Sequence, residues 1–337
     1  MNGLAIRTFV CGLVVGIGLL AATPMASAGE TIRIMVAGIE KQIYLPATLA
    51  ERLGYFTAQG LTVQLLSEAS GVHAEDQLLT GAVQGVVGFY DHTINLQAKG
   101  KFVQAVVQFS QAPGEAVLVA TRHADAIRSP ADFRGHPLGV TGMGSSTHLL
   151  MQYLARASGL KQGELRISGV GSGDGFADAL RTGRIDVGMT TEPTASRLLK
   201  AGQARMLVDL RTPEQATGAL GGTYPAACLY MSAPWIRAHR DEVQRLVNAL
   251  VKALHYIAAH SAQDIAAQLP ADYLAGDRAL YVSTLQQSKS MFTVDGVMPA
   301  DGPANVLRVM RLAERAVTAK PIDLSRTYTT EFAQAAR

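Results

Sequence analysis

The chain has 337 residues, with 30 lysines and arginines against 27 aspartates and glutamates and a formal net charge of +3. This near-neutral balance, with 6% aromatic residues and no basic run, excludes the electrostatic footprint of a nucleic-acid binder. The length exceeds what one hydrophobic core serves and calls for about two domains.

The first segment is a targeting pattern. Arg7 gives a positive start, an apolar run covers residues 9–22, and Thr23-Pro24 leads into the small triplet Ala26-Ser27-Ala28. That order predicts a cleavable secretory signal over 1–28 and a periplasmic destination. A membrane anchor is the weaker reading, because the run is short of the ~20 residues a spanning helix needs and Gly12, Gly16 and Gly18 interrupt it. Val10 stands before Cys11 where a lipoprotein site needs a small residue, so Cys11 belongs to the discarded peptide. Cleavage leaves 29 basic against 27 acidic residues and one cysteine, Cys228, which cannot form an internal disulfide.

A strand is predicted over 31–36, then a helix over 47–53 opened by Pro46 and closed by Gly54. A strand over 61–66, a short helix over 74–79 and a strand over 83–88 follow. Further strands are predicted over 117–121, 137–141, 166–170, 185–189 and 205–210, with helices between most of them. Ala226, Ala227, Leu229 and Tyr230 place Cys228 in a strand, as a small core residue rather than a nucleophile. Residues 238–260 carry Val243, Leu246, Val247, Leu250, Leu254 and Ile257 at helical spacing. The tail beyond 279 is helical around a Pro/Gly loop at 295–303. The alternation predicts an α/β fold with mostly parallel sheets.

An internal repeat sharpens this. Ser70-Gly71, Asp76, Leu78, Thr80-Gly81 and Val83 recur as Ser172-Gly173, Asp178, Leu180, Thr182-Gly183 and Ile185, each at an offset of 102 (172 − 70). The reading is two lobes of similar build, each a mixed, mostly parallel sheet flanked by helices. Their strand ends would face each other across a cleft, where open α/β sheets bind ligands.

The most specific local pattern is Thr141-Gly142-Met143-Gly144-Ser145-Ser146-Thr147, between a strand and a helix. Free N–H groups at a helix start favour negative charge, and three hydroxyls exceed the one that a helix cap uses. Gly144, Ser145, Ser146 and Thr147 are therefore candidate contacts for an anion. The loops Phe89-Tyr90-Asp91-His92 and Thr190-Thr191-Glu192-Pro193 occupy equivalent places in the two lobes and add Tyr90, Asp91, His92 and Glu192. The first strand leads to Gln42 and Tyr44, and the repeated glycine loops add Gly71, His73, Gly173 and Asp174. No catalytic residue, metal ligand or cofactor site is predicted. The eight histidines are scattered without an H-E-x-x-H, no cysteine pair exists for zinc, and neither a G-x-S-x-G nor a phosphate-binding P-loop is present.

At these residues the chain resembles the nitrate/sulfonate/taurine-type substrate-binding proteins of ABC importers. The resemblance runs through Leu53-Gly54-Tyr55-Phe56, Gly60-Leu61-Thr62-Val63, Leu79-Thr80-Gly81, Gly135-His136-Pro137-Leu138-Gly139-Val140 and Ala179-Leu180-Arg181-Thr182-Gly183-Arg184-Ile185-Asp186-Val187 with Glu192-Pro193. Gly81-Ala82-Val83-Gln84-Gly85 departs from it, since many relatives carry an acid there. The resemblance implies a two-lobed periplasmic-binding fold, monomeric, that closes on a solute and hands it to an inner-membrane permease driven by a cytoplasmic ATPase. Its lobes would be 29–116, 117–230 and a return over 231–337, with hinges near 114–118 and 224–231. The cysteine-rich motif of the related thiamine-pyrimidine synthases is missing, which speaks against that chemistry. The expected ligand is a small organic anion such as a sulfonate or carboxylate, or nitrate. If Asp91 and Glu192 point inward, a pyrimidine-like cation or a zwitterion fits instead. A ligand-sensing partner of a membrane receptor would share the same fold.

Overall fold

Two short runs with no exposed residue, β3 (Gly85–Phe89) and β5 (Glu115–Ala120), lie inside two separate sheets. Strands buried on both faces need helices on both sides, which is why their sequences run apolar without alternation. The computed structural model describes residues 31–274 and 276–336, together with Met1. The signal predicted over 1–28, with Cys11, otherwise lies outside the described residues.

The first sheet has the order β2 (Val63–Ser67), β1 (Ile32–Val36), β3, β10 (Ala227–Ser232), β4 (Val103–Gln108). The second has the order β7 (Arg166–Gly169), β6 (Pro137–Val140), β8 (Val187–Thr191), β5, β9 (Ala204–Leu210). β1 pairs in parallel with β2 and β3, as β6 does with β7 and β8. One strand in each sheet runs against its neighbours: β10 against β3 and β4, and β5 against β8 and β9. The two sheets are thus the same design. The repeat seen in the sequence is structural, since the helices Gly71–Leu79 and Gly173–Arg181 and the strands β3 and β8 each start 102 positions apart (173 − 71 and 187 − 85).

The chain passes from the first sheet to the second over residues 109–114 and returns over 211–226. The return comes earlier than the sequence implied. Residues 227–230, assigned above to the second lobe, are the start of β10 in the first sheet, paired with β3 from Ala227↔Phe89 onward. The expected hinge segments also lose their ends to strands, because Ala116–Leu118 and Ala227–Met231 are buried ladder residues. The helix expected over 238–260 is present as Arg240–Ala259, and a separate short helix, Ala233–Ala238, precedes it. Ser232 caps the short helix, and His239 between the two leaves helical geometry at φ −126° and ψ 43°.

One hydrophobic cluster joins the first sheet, the C-terminal helices and one face of the second sheet, including Val117, Val140, Leu149 and Leu150. A smaller cluster covers the other face of the second sheet: Phe176, Leu180, Ile185 and Leu198 against Ala116, Leu118 and Ala120. The helix Gly302–Ala313 packs on the helix Ser146–Ala157 of the second lobe, with Arg308 Nη1 donating to the Tyr153 hydroxyl at 3.3 Å. Among the described residues, no helix is long and apolar enough to cross a membrane.

Candidate ligand-binding site

The carboxyl ends of β3 and β8, the loops after β1 and β6 and the amino end of β5 meet at the seam between the sheets. They enclose a cavity of about 20 Å³. The first lobe supplies Lys41, Tyr44, Gly71, Phe89 and His92, and the second supplies Glu115, Thr141, Ser145, Ser146, Thr147 and Thr191. Such a volume takes about one water, so the lobes stand closed. Bonds across the seam agree: Gln42 N–H donates to the Glu192 carbonyl at 3.1 Å, Ser172 Oγ to Glu40 Oε1 at 2.9 Å, and Lys200 Nζ meets Asp277 Oδ2 at 2.5 Å. A larger open groove of about 580 Å³, between the helices Arg240–Ala259 and Arg278–Ser288, has part-exposed Lys289 as its only ionisable lining residue among the described residues.

Charge is concentrated at the small cavity. Glu115 is 2% exposed, Asp91 0% and Glu75 4%, against Lys41 at 6% and His92 at 1%. Burial pushes the Glu115 carboxyl well above its ordinary range; the Asp91 charge adds to this, and Lys41 opposes it. Burial likewise raises Asp91 and Glu75, with His92 opposing in both cases. Burial lowers the Lys41 ammonium, which donates to the carbonyls of Ala37 at 2.6 Å and Ala69 at 3.2 Å. His92 Nδ1 lies 3.3 Å from Glu75 Oε2 and 3.4 Å from the Tyr230 hydroxyl, and its Nε2 lies 3.8 Å from Asp91 Oδ1. The Tyr224 hydroxyl donates to Asp91 Oδ2 at 3.0 Å. Gly71 is required here, because a Cβ would lie 2.4 Å from His92 Cε1.

The hydroxyl cluster works differently from the sequence reading. Thr141, Ser145 and Thr147 bond one another at 2.8–3.2 Å. Ser145 Oγ also donates to the Gly142 carbonyl at 2.7 Å, and the Thr141 N–H donates to Thr147 Oγ1 at 3.0 Å. Two of the three hydroxyls first read as ligand donors therefore close their own loop, and only Ser146 Oγ stays out of it, turned toward the Asp91 and Glu115 carboxyls without a well-formed hydrogen bond. Gly144 is spent similarly, its N–H donating to His148 Nδ1 at 3.0 Å. The helix Ser146–Ala157 still presents the unpaired N–H groups of its first turn.

Several predicted contacts are corrected. Glu192 is buried, but its carboxylate is taken by Arg211 at 2.6 Å and by Ser196 Oγ at 2.8 Å, and only its carbonyl reaches the seam. Gln42 turns its amide to the Tyr281 carbonyl and Thr284 Oγ1. The Tyr90 hydroxyl bonds Thr327 Oγ1 at 2.6 Å, away from the cavity. His73 is exposed, and Asp174 is exposed and paired with Arg197 at 2.7 Å. Both lie in the first turns of helices, because the segments read as glycine loops are helical from Gly71 and Gly173 onward. Gly173 does not line the cavity, whereas Tyr44, Gly71, His92, Ser145, Ser146 and Thr147 do. Asp91 stands behind His92. Sequence reasoning missed Lys41, Glu75 and Glu115. The signal for Glu115 was present, as an acid directly after Gly114 that opens an otherwise apolar strand.

Four residues lining this cavity carry a buried side-chain atom without a hydrogen-bond partner, His92 Nε2, Glu115 Oε2, Ser146 Oγ and Thr191 Oγ1, and Ser70 Oγ and Asp91 Oδ1, off its lining, are likewise unpartnered. Native proteins leave few such atoms, and a cluster drawn from both lobes is what a bound solute would satisfy.

The raised carboxyls make stability depend on pH. Groups whose folded values lie above the unfolded ones contribute stability that is complete below the ordinary carboxylate range. That stability is lost as pH rises through the folded values. Thermal melts of the ligand-free protein from about pH 4 to 8 are expected to show Asp91→Asn gaining on the unmodified chain as pH rises. A constant difference across the range would contradict the burial of that charge.

A family model described as NMT1/THI5 like matches residues 43–263. No curated protein matches the sequence. Among solved structures the chain is similar to a protein of Bordetella bronchiseptica RB50, at 34% identity, covering 91% of this chain and 97% of that one, with a TM-score of 0.87. It shares its fold with the alkanesulfonate-binding protein SsuA of Xanthomonas axonopodis pv. citri bound to MOPS (18% identity, 89% and 98% covered, TM-score 0.69). The periplasmic nitrate-binding protein NrtA of Synechocystis PCC 6803 also has this fold (12% identity, 90% and 87% covered, TM-score 0.69).

Proposed function

We propose, from the premise that this chain belongs to the NMT1/THI5-like family, that it is a periplasmic solute-binding protein. It closes two lobes over a small zwitterion or protonated heterocycle and offers the closed form to an ABC permease. The observation that carries this reading is the gathering of unpartnered buried polar atoms from both lobes on one cavity.

The charges favour a ligand with a positive or N–H-rich end. Glu115 Oε2 lines the cavity without a partner, and an ammonium or amidine-like group would restore its ionised state, while Asp91, behind His92, adds to the acidity of the site without facing the ligand. The negative end of a zwitterion would meet the Ser146 hydroxyl and the first-turn N–H groups of its helix. A bare sulfonate or nitrate suits those N–H groups but meets the buried acids, and it would bind only while they hold their protons. Hydrolysis by a Ser145–His92 pair is not supported, since the Ser145 hydroxyl donates to a backbone carbonyl.

Thermal-shift measurements at neutral pH test the reading, because a ligand bound only to the folded state stabilises it by about 2.7 kcal/mol at a hundred times Kd. Taurine and a hydroxymethyl-aminopyrimidine represent the zwitterion and the heterocycle, against ethanesulfonate and nitrate. Stabilisation by either of the first pair and not by the second is expected. A response confined to ethanesulfonate or nitrate would overturn the charge assignment, and turnover of a bound compound would overturn the binding role.

A further inference from the structure

We propose that the second lobe carries a divalent-metal site, formed by His123, His136 and Asp186, of the kind that takes zinc. The three residues are far apart in the sequence, which is why the scattered histidines gave no sign of it. The sheet brings them together. His123 follows the end of β5, His136 precedes β6, and Asp186 precedes β8. Since β5 runs opposite to β6 and β8, all three positions fall on the edge of the sheet away from Glu115 and Thr191. Strands of four to six residues put roughly 13–20 Å between that edge and the ligand cavity, so this is a separate site.

The geometry is close to a coordination shell. His123 Nε2 lies 3.0 Å from Asp186 Oδ1, and His136 Nδ1 lies 2.9 Å from Asp186 Oδ2. One ligand atom from each residue falls within 4.8 Å of the others. Ligands about 2.0–2.1 Å from a tetrahedral zinc stand roughly 3.3 Å apart, so small side-chain rotations suffice. The backbone of Asp186 is fixed from both sides, its N–H donating to the Pro137 carbonyl and its carbonyl accepting from Ala120 N–H, each at 2.8 Å. The imidazoles are reachable from solvent, with His123 31% and His136 27% exposed and Asp186 12%.

Two imidazoles and one carboxylate select a borderline metal over calcium or magnesium, which prefer all-oxygen shells. Three protein ligands leave a fourth position for water. Arg122 Nη2, 3.3 Å from Asp186 Oδ1, opposes an incoming cation. It is held independently by the carbonyls of Leu180 at 2.8 Å and Ile185 at 2.9 Å, so Asp186 can turn one oxygen to the metal without freeing the guanidinium.

The test is calorimetric titration of the chelator-stripped full chain with Zn²⁺ and separately with Mg²⁺, joined to the visible spectrum of the Co²⁺-loaded protein. One Zn²⁺ per chain, no Mg²⁺ response and an intense tetrahedral Co²⁺ band are expected. His123→Ala and His136→Ala should each weaken Zn²⁺ by at least about 100-fold, since even indirect partners of a metal are worth 10–100-fold. No zinc binding at millimolar metal, binding unchanged in the His123→Ala/His136→Ala double variant, or a Co²⁺ spectrum without a ligand-field band from nitrogen donors would each overturn the site. The cluster would then be only a hydrogen-bonded pin on Asp186.

Discussion

Replacing Glu115 by glutamine is expected to make the protein more stable at neutral pH and a poorer binder at the same time. The carboxyl is 2% exposed, its Oε2 has no partner, and burial and Asp91 both resist its ionisation. An amide of the same shape removes that charge from the closed, ligand-free state, so the melting temperature should rise at pH 7–8 and change little where the acid is already protonated. With ligand present the balance reverses. A positive group that paired with the carboxylate now meets a dipole, and losing one side of a buried charged pair costs about 2–5 kcal/mol, or roughly 30- to 5,000-fold in Kd. Opposite signs in the two measurements are the mark of a functional acid, because a purely structural carboxylate would lose stability when changed. Equal or tighter binding of taurine or the aminopyrimidine by Glu115→Gln would remove the acid from the site. Tighter binding of ethanesulfonate by the same variant would turn the reading toward a bare anion.

The architecture was legible because it rests on periodicity and punctuation. The 102-residue repeat predicted two equivalent lobes, and the paired helices and strands sit at that same spacing. β4 went unread because Gln104 and Gln108 interrupt the apolar run of VQAVVQ, and its pairing with β10 is a contact across more than a hundred residues. The site was half legible for a similar reason. The loops after β3, β6 and β8 could be placed from local sequence, and they do meet. Which way each side chain turns depends on partners that no local pattern contains. Arg211 claims Glu192, Thr284 claims Gln42, and Thr327 claims Tyr90. Conversely, Glu115 enters the cavity only because β5 is the antiparallel strand of its sheet, which puts its first residue beside the last residue of β8, in the pair Glu115↔Thr191. Had β5 run parallel, the same glutamate would lie at the opposite edge, beside Asp186.

The largest loss of stability is expected from Phe176→Ala. The ring is 0% exposed and lies on the backbone of β8, where a Cβ on Gly188 would come within 2.5 Å of its Cζ. It is the one aromatic residue in the smaller cluster of the second sheet. Five of the nine other buried residues there are alanines, Ala116, Ala120, Ala179, Ala195 and Ala204, which have no long side chain to swing into the space, so much of the void should persist. A persistent void puts the cost at about 3–5 kcal/mol, or roughly a 4–8 °C fall in the melting temperature for a chain of this size. Leu79→Ala, on a side chain 42% exposed, should stay within about 0.5 kcal/mol. The shape of the melt carries the further information. The main cluster runs from the first sheet to Val117, Val140 and Leu149 of the second, so the lobes share a core. Loss of Phe176 should therefore lower one cooperative transition for the whole chain. A second transition, with the first lobe melting at its original temperature, would show that the shared core does not couple them. The closed cleft would then depend on the seam contacts alone.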